Sequence, residues 1–170
     1  MQRVAVVGSP GAGKSTLAVE LGRRTELPVF HLDRMFWRPG WTPTSREEFR
    51  LTQERLVRTE RWVIDGNYDS TLPIRMAAAD TIIFLDLPTW ICLARVIRRS
   101  LSRAERNDMG EGCPERIFSK DFREFLLWVL NFHRIKRPRM FKLLNEFGRG
   151  KAIYHLRSSS AVTAFLQDHV

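Results

Sequence analysis

Cysteine is scarce in this chain of 170 residues, which holds only Cys92 and Cys113. Neither belongs to a CxxC pair or has a histidine at the spacing of a shared metal ligand, so we expect free thiols and no zinc. Long apolar runs are also missing, and no stretch reaches the roughly 20 residues that a membrane span needs. The first residues lead into an apolar strand without a signal-peptide pattern. We therefore expect a cytoplasmic protein with no membrane partner.

Acidic side chains are fewer than basic ones, with 19 Asp and Glu against 28 Lys and Arg and a net charge of +9. The surplus lies mostly in residues 95–142, which hold 13 basic and 6 acidic side chains. A surplus of this kind indicates an anionic partner, and nucleotide phosphate, nucleic acid or a membrane surface would each satisfy it. The alternative is a solvated helix face that binds nothing.

Repeats, low-complexity tracts and long flexible linkers are absent as well. A chain of this length with 44% hydrophobic residues can build one core but not two ordinary ones. We therefore predict a single domain over residues 1–170. The oligomeric state cannot be predicted from these features.

Apolar runs and amphipathic stretches alternate along the chain. The predicted strands are near-continuous apolar runs, as in a parallel sheet covered on both faces, so we predict a three-layer α/β fold. The long predicted helix at about 115–147 contains a proline, Pro138, which should kink or divide it. The predicted strands are Arg3–Val7, Val29–Leu32, Trp62–Ile64, Thr81–Leu85 and Ala152–Leu156, and the predicted helices are Lys14–Arg24, about 44–59, one after Pro88, about 115–147, and a short one capped by 158–160.

Between the first strand and the first helix, the sequence fits the GxxxxGK[ST] phosphate-loop pattern in full. The glycines let backbone N–H groups converge on phosphate oxygens at a helix N-terminus. Lys14 should reach the β- and γ-phosphates of ATP, Ser15 should bind Mg²⁺, and Thr16 should add a phosphate contact. The alternative, a turn that only caps a helix, would not need the lysine and hydroxyl. The predicted nucleotide-binding residues of this loop are Gly8, Ser9, Pro10, Gly11, Ala12, Gly13, Lys14, Ser15 and Thr16.

Further motifs accompany the loop over nearly the whole chain. They are GSPGAGKST at 8–16, His31-Leu32-Asp33, Phe36-Trp37, Pro39-Gly40-Trp41, WVIDGNY at 62–68, AD.IIFLDLP across 79–88, and Arg106-Asn107-Asp108-Met109 before Gly112-Cys113. With these motifs the sequence resembles the adenylate-kinase-related P-loop kinases, most closely the bacterial DNA topology modulation proteins. The resemblance implies a P-loop NTPase fold with a five-stranded parallel sheet of order 2-3-1-4-5, a helical acceptor-binding insertion near 33–60 and a lid near 103–116.

The resemblance also implies a metal residue and raises a question about the acceptor. Asp65 matches an aspartate that holds metal-bound water, although an Asp-Gly-Asn run is alternatively a simple turn. Adenylate kinases have an arginine soon afterwards for the acceptor phosphate, where this chain has residues 67–69, Asn-Tyr-Asp. A nucleoside monophosphate is therefore not favoured as acceptor, unless Arg75 substitutes from the next helix.

Around the second strand, the resemblance implies the acceptor side of the site. Asp33 matches an aspartate that orients an acceptor hydroxyl or takes its proton, and a loop or N-cap aspartate is the alternative. For His31 we favour a place in the core. Trp37 and Trp41 either stack on the acceptor or are buried under the insertion.

Arginines complete the implied site. Arg95 and Arg99 lie one turn apart on the helix after Pro88 and match residues that contact ATP. Arg106 and Arg116, with Arg103 as a weaker candidate, would be lid arginines that stabilise the transition state. Asp86, after the fourth strand, is either a further metal residue or a cap. The candidate catalytic residues are Lys14, Asp33, Arg99, Arg106 and Arg116, with Arg95 for ATP and Ser15 and Asp65 for Mg²⁺.

We therefore predict a phosphotransferase that moves the γ-phosphoryl group of ATP to a small-molecule acceptor, with ATP and Mg²⁺ as cofactors. One alternative is a nucleotide-responsive regulator of DNA topology that binds nucleic acid through the basic run at 133–139. The absence of a recognised nucleic-acid-binding motif disfavours it. A plain NTPase without an acceptor is the third possibility.

Overall fold

The structure is a computed structural model that describes residues 1–102, 108–110, 112–113 and 120–170. The strands are β1 (Arg3–Gly8), β2 (Val29–His31), β3 (Trp37–Arg38), β4 (Thr42–Pro43), β5 (Trp62–Asp65), β6 (Thr81–Leu85) and β7 (Ala152–Leu156). The helices are α1 (Lys14–Thr25), α2 (Leu32–Phe36), α3 (Arg46–Leu56), α4 (Leu72–Ala78), α5 (Thr89–Ser102), α6 (Lys120–Ile135), α7 (Arg137–Phe147) and α8 (Ser159–Asp168). Among the described residues, no helix is both long and apolar enough to cross a membrane.

Five strands form one parallel sheet in the order β2-β5-β1-β6-β7. Counted along the chain without the short β3 and β4, this is the order 2-3-1-4-5, so the predicted topology is confirmed. The central strand β1 pairs with β5 on one side and with β6 on the other. The carboxyl ends of β1 and β5 therefore meet at the edge of the sheet where parallel α/β folds bind ligands.

The core lies in two layers, one on each face of the sheet. The side chains of β1 point alternately into the two layers: Val4 and Val6 lie on one face of the sheet, and Ala5 and Val7 lie on the other. Apolar side chains of α1, α5 and α8 cover the first face, and those of α3, α4 and α7 cover the second. The predicted three-layer architecture is therefore confirmed.

The segment between β2 and β5 differs from the sequence prediction in its details. Leu32 begins α2 instead of ending the strand, and a short antiparallel pair of β3 and β4 follows. The predicted start of α3 is confirmed, because the hydroxyl of Ser45 accepts a hydrogen bond from the backbone N–H of Glu48 at 3.2 Å. A two-residue strand leaves too weak a periodic pattern to be found from the sequence.

The predicted long helix is divided at Lys136 into α6 and α7, and Pro138 lies in the first turn of α7. Proline is tolerated there because the backbone N–H groups of a first turn have no partner within the helix. The residues before Lys120 in the predicted helix lie outside the described part of the chain.

Candidate active site

The phosphate loop leaves β1 in a conformation that glycine alone adopts easily. Gly8, Gly11 and Gly13 have φ angles of 141°, 78° and 96°. A Cβ atom on Gly8 would lie 2.2 Å from the carbonyl oxygen of Leu85, and one on Gly11 would lie 2.3 Å from that of Cys92. The loop is therefore packed against the end of β6 and against α5, and it has no room for larger residues at these two positions.

Lys14 begins α1, and its Nζ donates a hydrogen bond to the carbonyl oxygen of Ser9 at 3.1 Å. Burial lowers the pKa of Lys14, while the carboxylates of Asp33 and Asp65 act in the opposite direction. Ser9 itself is buried, so it contributes its backbone and not its side chain. The remaining loop residues from Pro10 to Thr16 line one large cleft. An ammonium group at the edge of a glycine-rich loop is suited to a polyphosphate anion.

Two carboxylates line the same cleft as the predicted metal-binding hydroxyl. Ser15 Oγ donates a hydrogen bond to Asp108 Oδ2 at 2.7 Å, a contact across 93 residues of chain. Asp65 is buried at the end of β5, and its Oδ1 lies 2.6 Å from Nδ1 of His31. Asp108 belongs to the motif at 106–109, but the motif predicted no role for it. Its contact with Ser15 could not be inferred from local spacing.

The placement of His31 in the core was wrong. Its imidazole lines the cleft and is 12% exposed, because β2 ends at this residue and turns its side chain toward Asp65. The hydrogen bond with Asp65 raises the pKa of His31, which burial opposes, and Asp108 and Asp33 also favour the protonated form. The imidazolium therefore holds Asp65 in position below the raised pKa.

This ion pair should make stability depend on pH. A raised folded-state pKa gives stabilisation that is present below the ordinary histidine pKa and is lost as the pH rises through the folded-state value. We expect the free energy of unfolding of the wild type to exceed that of His31→Gln by about 1 kcal/mol at pH 5.5, and the difference to shrink by pH 9. Urea denaturation of both proteins, in EDTA, measures it. A difference that stays constant or grows with pH would contradict the ion pair.

The hydroxyl of Tyr68, which also lines the cleft, donates a hydrogen bond to Asp33 Oδ1 at 2.7 Å. Burial and the neighbouring Asp33 carboxylate raise the pKa of Tyr68, so the phenol stays a neutral donor. Tyr68 has a φ of 46°, an uncommon value for a residue with a side chain, and its ring packs against Phe36 and Phe49. The predicted acceptor residue Asp33 therefore has a fixed orientation toward the cleft.

Trp37 and Trp41 also line the cleft, with ring centroids 5.4 Å apart in a T-shaped pair. Trp37 is half-buried and Trp41 is 37% exposed. Of the two predicted possibilities, complete burial under the insertion is therefore wrong. Both rings leave surface available to a bound molecule.

Arg75 does not replace the missing acceptor arginine. Its side chain is completely buried, and its guanidinium donates to Gln53 Oε1 of α3 and to the carbonyl oxygens of Gly66 and Asn67. Burial lowers the pKa of Arg75 to about 9. The amphipathic pattern of a short helix does not distinguish a buried arginine from an exposed one.

The predicted arginines of α5 lie along the same cleft. Arg95 donates to the carbonyl oxygen of Ala12 at 3.2 Å and to Ser159 Oγ at 2.9 Å, so it joins the phosphate loop to the start of α8. Arg99 lines the cleft, near enough to Lys14 to lower the pKa of that lysine. The predicted lid arginines Arg103, Arg106 and Arg116 lie outside the described residues, and their roles stay predictions.

Asp86 binds side chains of α7 and β7 that do not line the cleft. The Nε–H group of Arg137 donates a bifurcated hydrogen bond to both oxygens of this buried carboxylate, at 3.0 and 2.9 Å, and Oδ2 lies 2.7 Å from Nε2 of His155. Nε2 of His133 lies 3.3 Å from Oδ1 of Asp86, but the two atoms do not have hydrogen-bond geometry. The metal role considered for Asp86 is therefore not supported, because three cationic or polar groups already surround it.

The same contacts account for much of the basic run at 133–139. Besides the Arg137 and His133 contacts, Lys136 Nζ lies 2.5 Å from Asp69 Oδ2, and Arg139 donates to the carbonyl oxygen of Asp69 at 3.3 Å. These cations pair with carboxylates and carbonyls of the same chain instead of forming a free basic surface. The observation that suggested nucleic-acid binding is thereby weakened.

The phosphate loop and the acceptor residues share one continuous cleft of about 2310 Å³. It is lined by the loop from Pro10 to Thr16 and by His31, Asp33, Trp37, Trp41, Asp65, Tyr68, Arg95, Arg99 and Asp108. A loop of this geometry at the carboxyl edge of a parallel sheet defines the class of P-loop nucleotide-binding folds.

The fold can be assigned more closely from solved structures. It is similar to a shikimate kinase from Acinetobacter baumannii in complex with shikimate, with a TM-score of 0.61 and 16% sequence identity over 98% of this chain and 89% of that chain. It is also similar to a shikimate kinase from Bacteroides thetaiotaomicron, with a TM-score of 0.53 and 16% identity over 98% of this chain and 94% of that chain. No protein-family model and no curated protein matches the sequence.

At 16% identity, the likeness demonstrates a shared fold. This chain therefore has the αβα fold of the P-loop kinases, and the predicted fold class is confirmed. The finer resemblance, to the DNA topology modulation proteins, stays a prediction.

Proposed function

We propose that this protein is a Mg-ATP-dependent phosphotransferase that moves the γ-phosphoryl group of ATP to a hydroxyl group of a small-molecule acceptor. The observation that carries the proposal is the arrangement of Lys14 and Asp33 at one cleft. The lysine belongs to the phosphate loop, the aspartate lies in the first turn of α2, and both line the cleft. The Asp33 carboxylate raises the pKa of Lys14, against the larger effect of burial. The kinase fold supports the same conclusion.

The donor side uses the phosphate loop. Backbone N–H groups from Gly11 to Ser15 hold the phosphates, and the Lys14 ammonium balances charge on the β- and γ-phosphates. Arg99 extends the positive side of the cleft, and Arg95 braces the loop from α5. In the closed state, the predicted lid arginines Arg106 and Arg116 would add charge stabilisation.

The side chains present fit a magnesium ion. A hydroxyl and carboxylates are the donors that Mg²⁺ prefers, and phosphate oxygens and water supply the remaining ligands. Because the hydrogen of Ser15 Oγ points to Asp108, the lone pairs of that oxygen stay available to a cation. Asp65, held by His31, would bind a metal-bound water. When bound, the ion neutralises charge on the transferring phosphoryl group.

The acceptor side is built around Asp33. Tyr68 donates a hydrogen bond to Oδ1 of Asp33 and thereby orients the carboxylate, which can accept a further hydrogen bond from the acceptor hydroxyl because two carboxylate oxygens offer about four lone-pair sites. As the acceptor oxygen bonds to the γ-phosphorus, the bond from that phosphorus to the bridging oxygen breaks and ADP leaves. The hydroxyl proton passes to Asp33. Trp37 and Trp41 offer ring faces or edges to the apolar part of the acceptor.

The proposal is tested by a search for the acceptor. A thermal-shift screen with a Mg²⁺-bound, non-hydrolysable ATP analogue covers nucleosides, nucleotides and hydroxylated metabolites, and it includes shikimate because the Acinetobacter structure contains it. At a hundred-fold excess over its dissociation constant, a true acceptor stabilises the protein by about 2.7 kcal/mol. Each hit is then tested for acceptor-dependent ADP release from ATP.

Acceptor-dependent ADP release above the rate with water is the expected result. Steady phosphate release that no added metabolite changes would contradict phosphoryl transfer and would support the plain NTPase. Binding of duplex DNA, with an affinity that falls steeply and linearly with salt on logarithmic axes, would instead favour the nucleic-acid alternative. A cytoplasmic location remains part of the proposal.

A further inference from the structure

Asn67 binds the backbone of a single residue with both ends of its side-chain amide. The N–H of Gly8 donates to Asn67 Oδ1 at 3.1 Å, and Asn67 Nδ2 donates to the carbonyl oxygen of Gly8 at 2.8 Å. The two residues are 59 positions apart in the chain. The amide therefore makes the same pair of hydrogen bonds with Gly8 that a neighbouring backbone would make.

Gly8 needs such a partner because the strand that flanks it on one side has ended. The register of β1 with β5 runs only to Val6 opposite Asp65, and the N–H of Gly66 then donates to the carbonyl oxygen of Val6 at 3.2 Å. On its other side, Gly8 is still paired with Leu85 of β6. Asn67 thus continues the β5 side of the sheet by one further position, at the first glycine of the phosphate loop.

Asn67 is itself held from behind. The buried guanidinium of Arg75 donates to its carbonyl oxygen and, at 3.0 Å, to that of Gly66. Arg75 is in turn bound by Gln53, which is also completely buried. These contacts run from α3 to the phosphate loop, so buried side chains hold the backbone of Asn67 in place.

We propose that Asn67 is a positioning residue for the phosphate loop and that its two hydrogen bonds to Gly8 are needed for tight nucleotide binding. This inference rests on the proposed function, because it assumes that the loop binds the phosphates of ATP. Each polar atom of the amide makes a hydrogen bond with Gly8, so the role that these contacts support is to hold the loop. Asn67 fixes the direction in which the chain leaves β1. The orientation of the phosphate-loop N–H groups that follow depends on that direction.

If Asn67 only stabilised the fold, its loss would lower the melting temperature without a specific loss of nucleotide affinity. Asp80 provides the matched control for this alternative. Asp80 Oδ2 accepts hydrogen bonds from the backbone N–H groups of Gln2 and Arg3, at 2.9 and 2.8 Å, at the opposite end of β1. Asp80→Ala therefore removes two side-chain hydrogen bonds to the same strand, far from the phosphate loop. Any effect of lost stability alone should appear in both variants.

The experiment measures the dissociation constant of a fluorescent, non-hydrolysable ATP analogue with Mg²⁺, together with the melting temperature, for the wild type, Asn67→Ala and Asp80→Ala. We expect binding about tenfold weaker for Asn67→Ala, a loss of about 1.4 kcal/mol that one or two net hydrogen bonds can supply. For Asp80→Ala we expect a lower melting temperature and a change in binding below about twofold. If Asn67→Ala does not fold, Asn67→Ser takes its place, with weaker binding again expected.

Equal affinity of the wild type and the Asn67 variant would overturn the inference and leave the proposed function standing. So would an equal loss of affinity in Asp80→Ala, because stability alone would then explain the effect. Failure of the wild type to bind the analogue would contradict the proposed function itself. In turnover assays, we expect KM for ATP to rise in Asn67→Ala with a smaller change in kcat.

Discussion

Lys14→Ala should lose ATP turnover by about 10²–10³-fold in kcat, because the ammonium group belongs to the loop that we propose binds the phosphates and balances the charge of the transferred group. The melting temperature should change little, since within the described part of the chain the Lys14 side chain donates one hydrogen bond, to the carbonyl oxygen of Ser9. Acceptor-dependent ADP release and thermal melting of the same preparation measure the two effects.

Lys142→Ala is the matched control for this substitution. Lys142 is exposed on α7, away from the cleft, so its loss should leave turnover at the wild-type rate. Normal turnover in Lys14→Ala would remove the basis for assigning a kinase function to this site. Equal loss in both lysine variants would indicate an effect of net charge instead of position.

Asp33→Asn should lower kcat by about 10²-fold while the affinity for the ATP analogue stays within a few-fold of the wild type. The substitution keeps the size of the side chain and its contact with Tyr68 but removes the charge that orients the acceptor hydroxyl and takes its proton. Steady-state kinetics with a confirmed acceptor, and analogue binding, measure the two quantities separately.

Asp121→Asn serves as the control, because Asp121 is an exposed carboxylate at the start of α6 that lines the same cleft. Its variant should behave as the wild type. The pH dependence of kcat separates the two roles of Asp33: a base gives an acidic limb that disappears in Asp33→Asn, whereas an orienting group lowers kcat at every pH. An unchanged kcat in Asp33→Asn would exclude Asp33 from the reaction.

The strands and helices of the main sheet were predictable because each depends on a local pattern. Apolar runs of four or five residues, a glycine-rich loop and a serine cap are all visible within a few positions of one another. The short β3 and β4 were missed, since two residues carry no period. The position of Pro138 indicated a division of the long helix correctly, because proline acts on its own turn.

The site was only partly predictable for the same reason. Lys14 and Ser15 follow from the phosphate-loop pattern, and the structure brings Asp33 and Asp65 into the same cleft. Burial could not be inferred, so His31 was placed in the core although it faces the cleft, and Arg75 was considered for the acceptor although it is buried. Whether a polar side chain points in or out depends on what packs against its element.

The sequence by itself determined the five strands of the main sheet, the phosphate loop and the chemistry that such a loop can perform, because these depend on residues close together in the chain. Only the tertiary structure decided that Asn67 holds Gly8, that Asp108 binds Ser15 and that Asp86 binds Arg137 of the basic run. These contacts join residues 51 to 93 positions apart. They exist because the parallel sheet brings the carboxyl ends of its strands to one edge, where distant polar groups must find partners as they are buried.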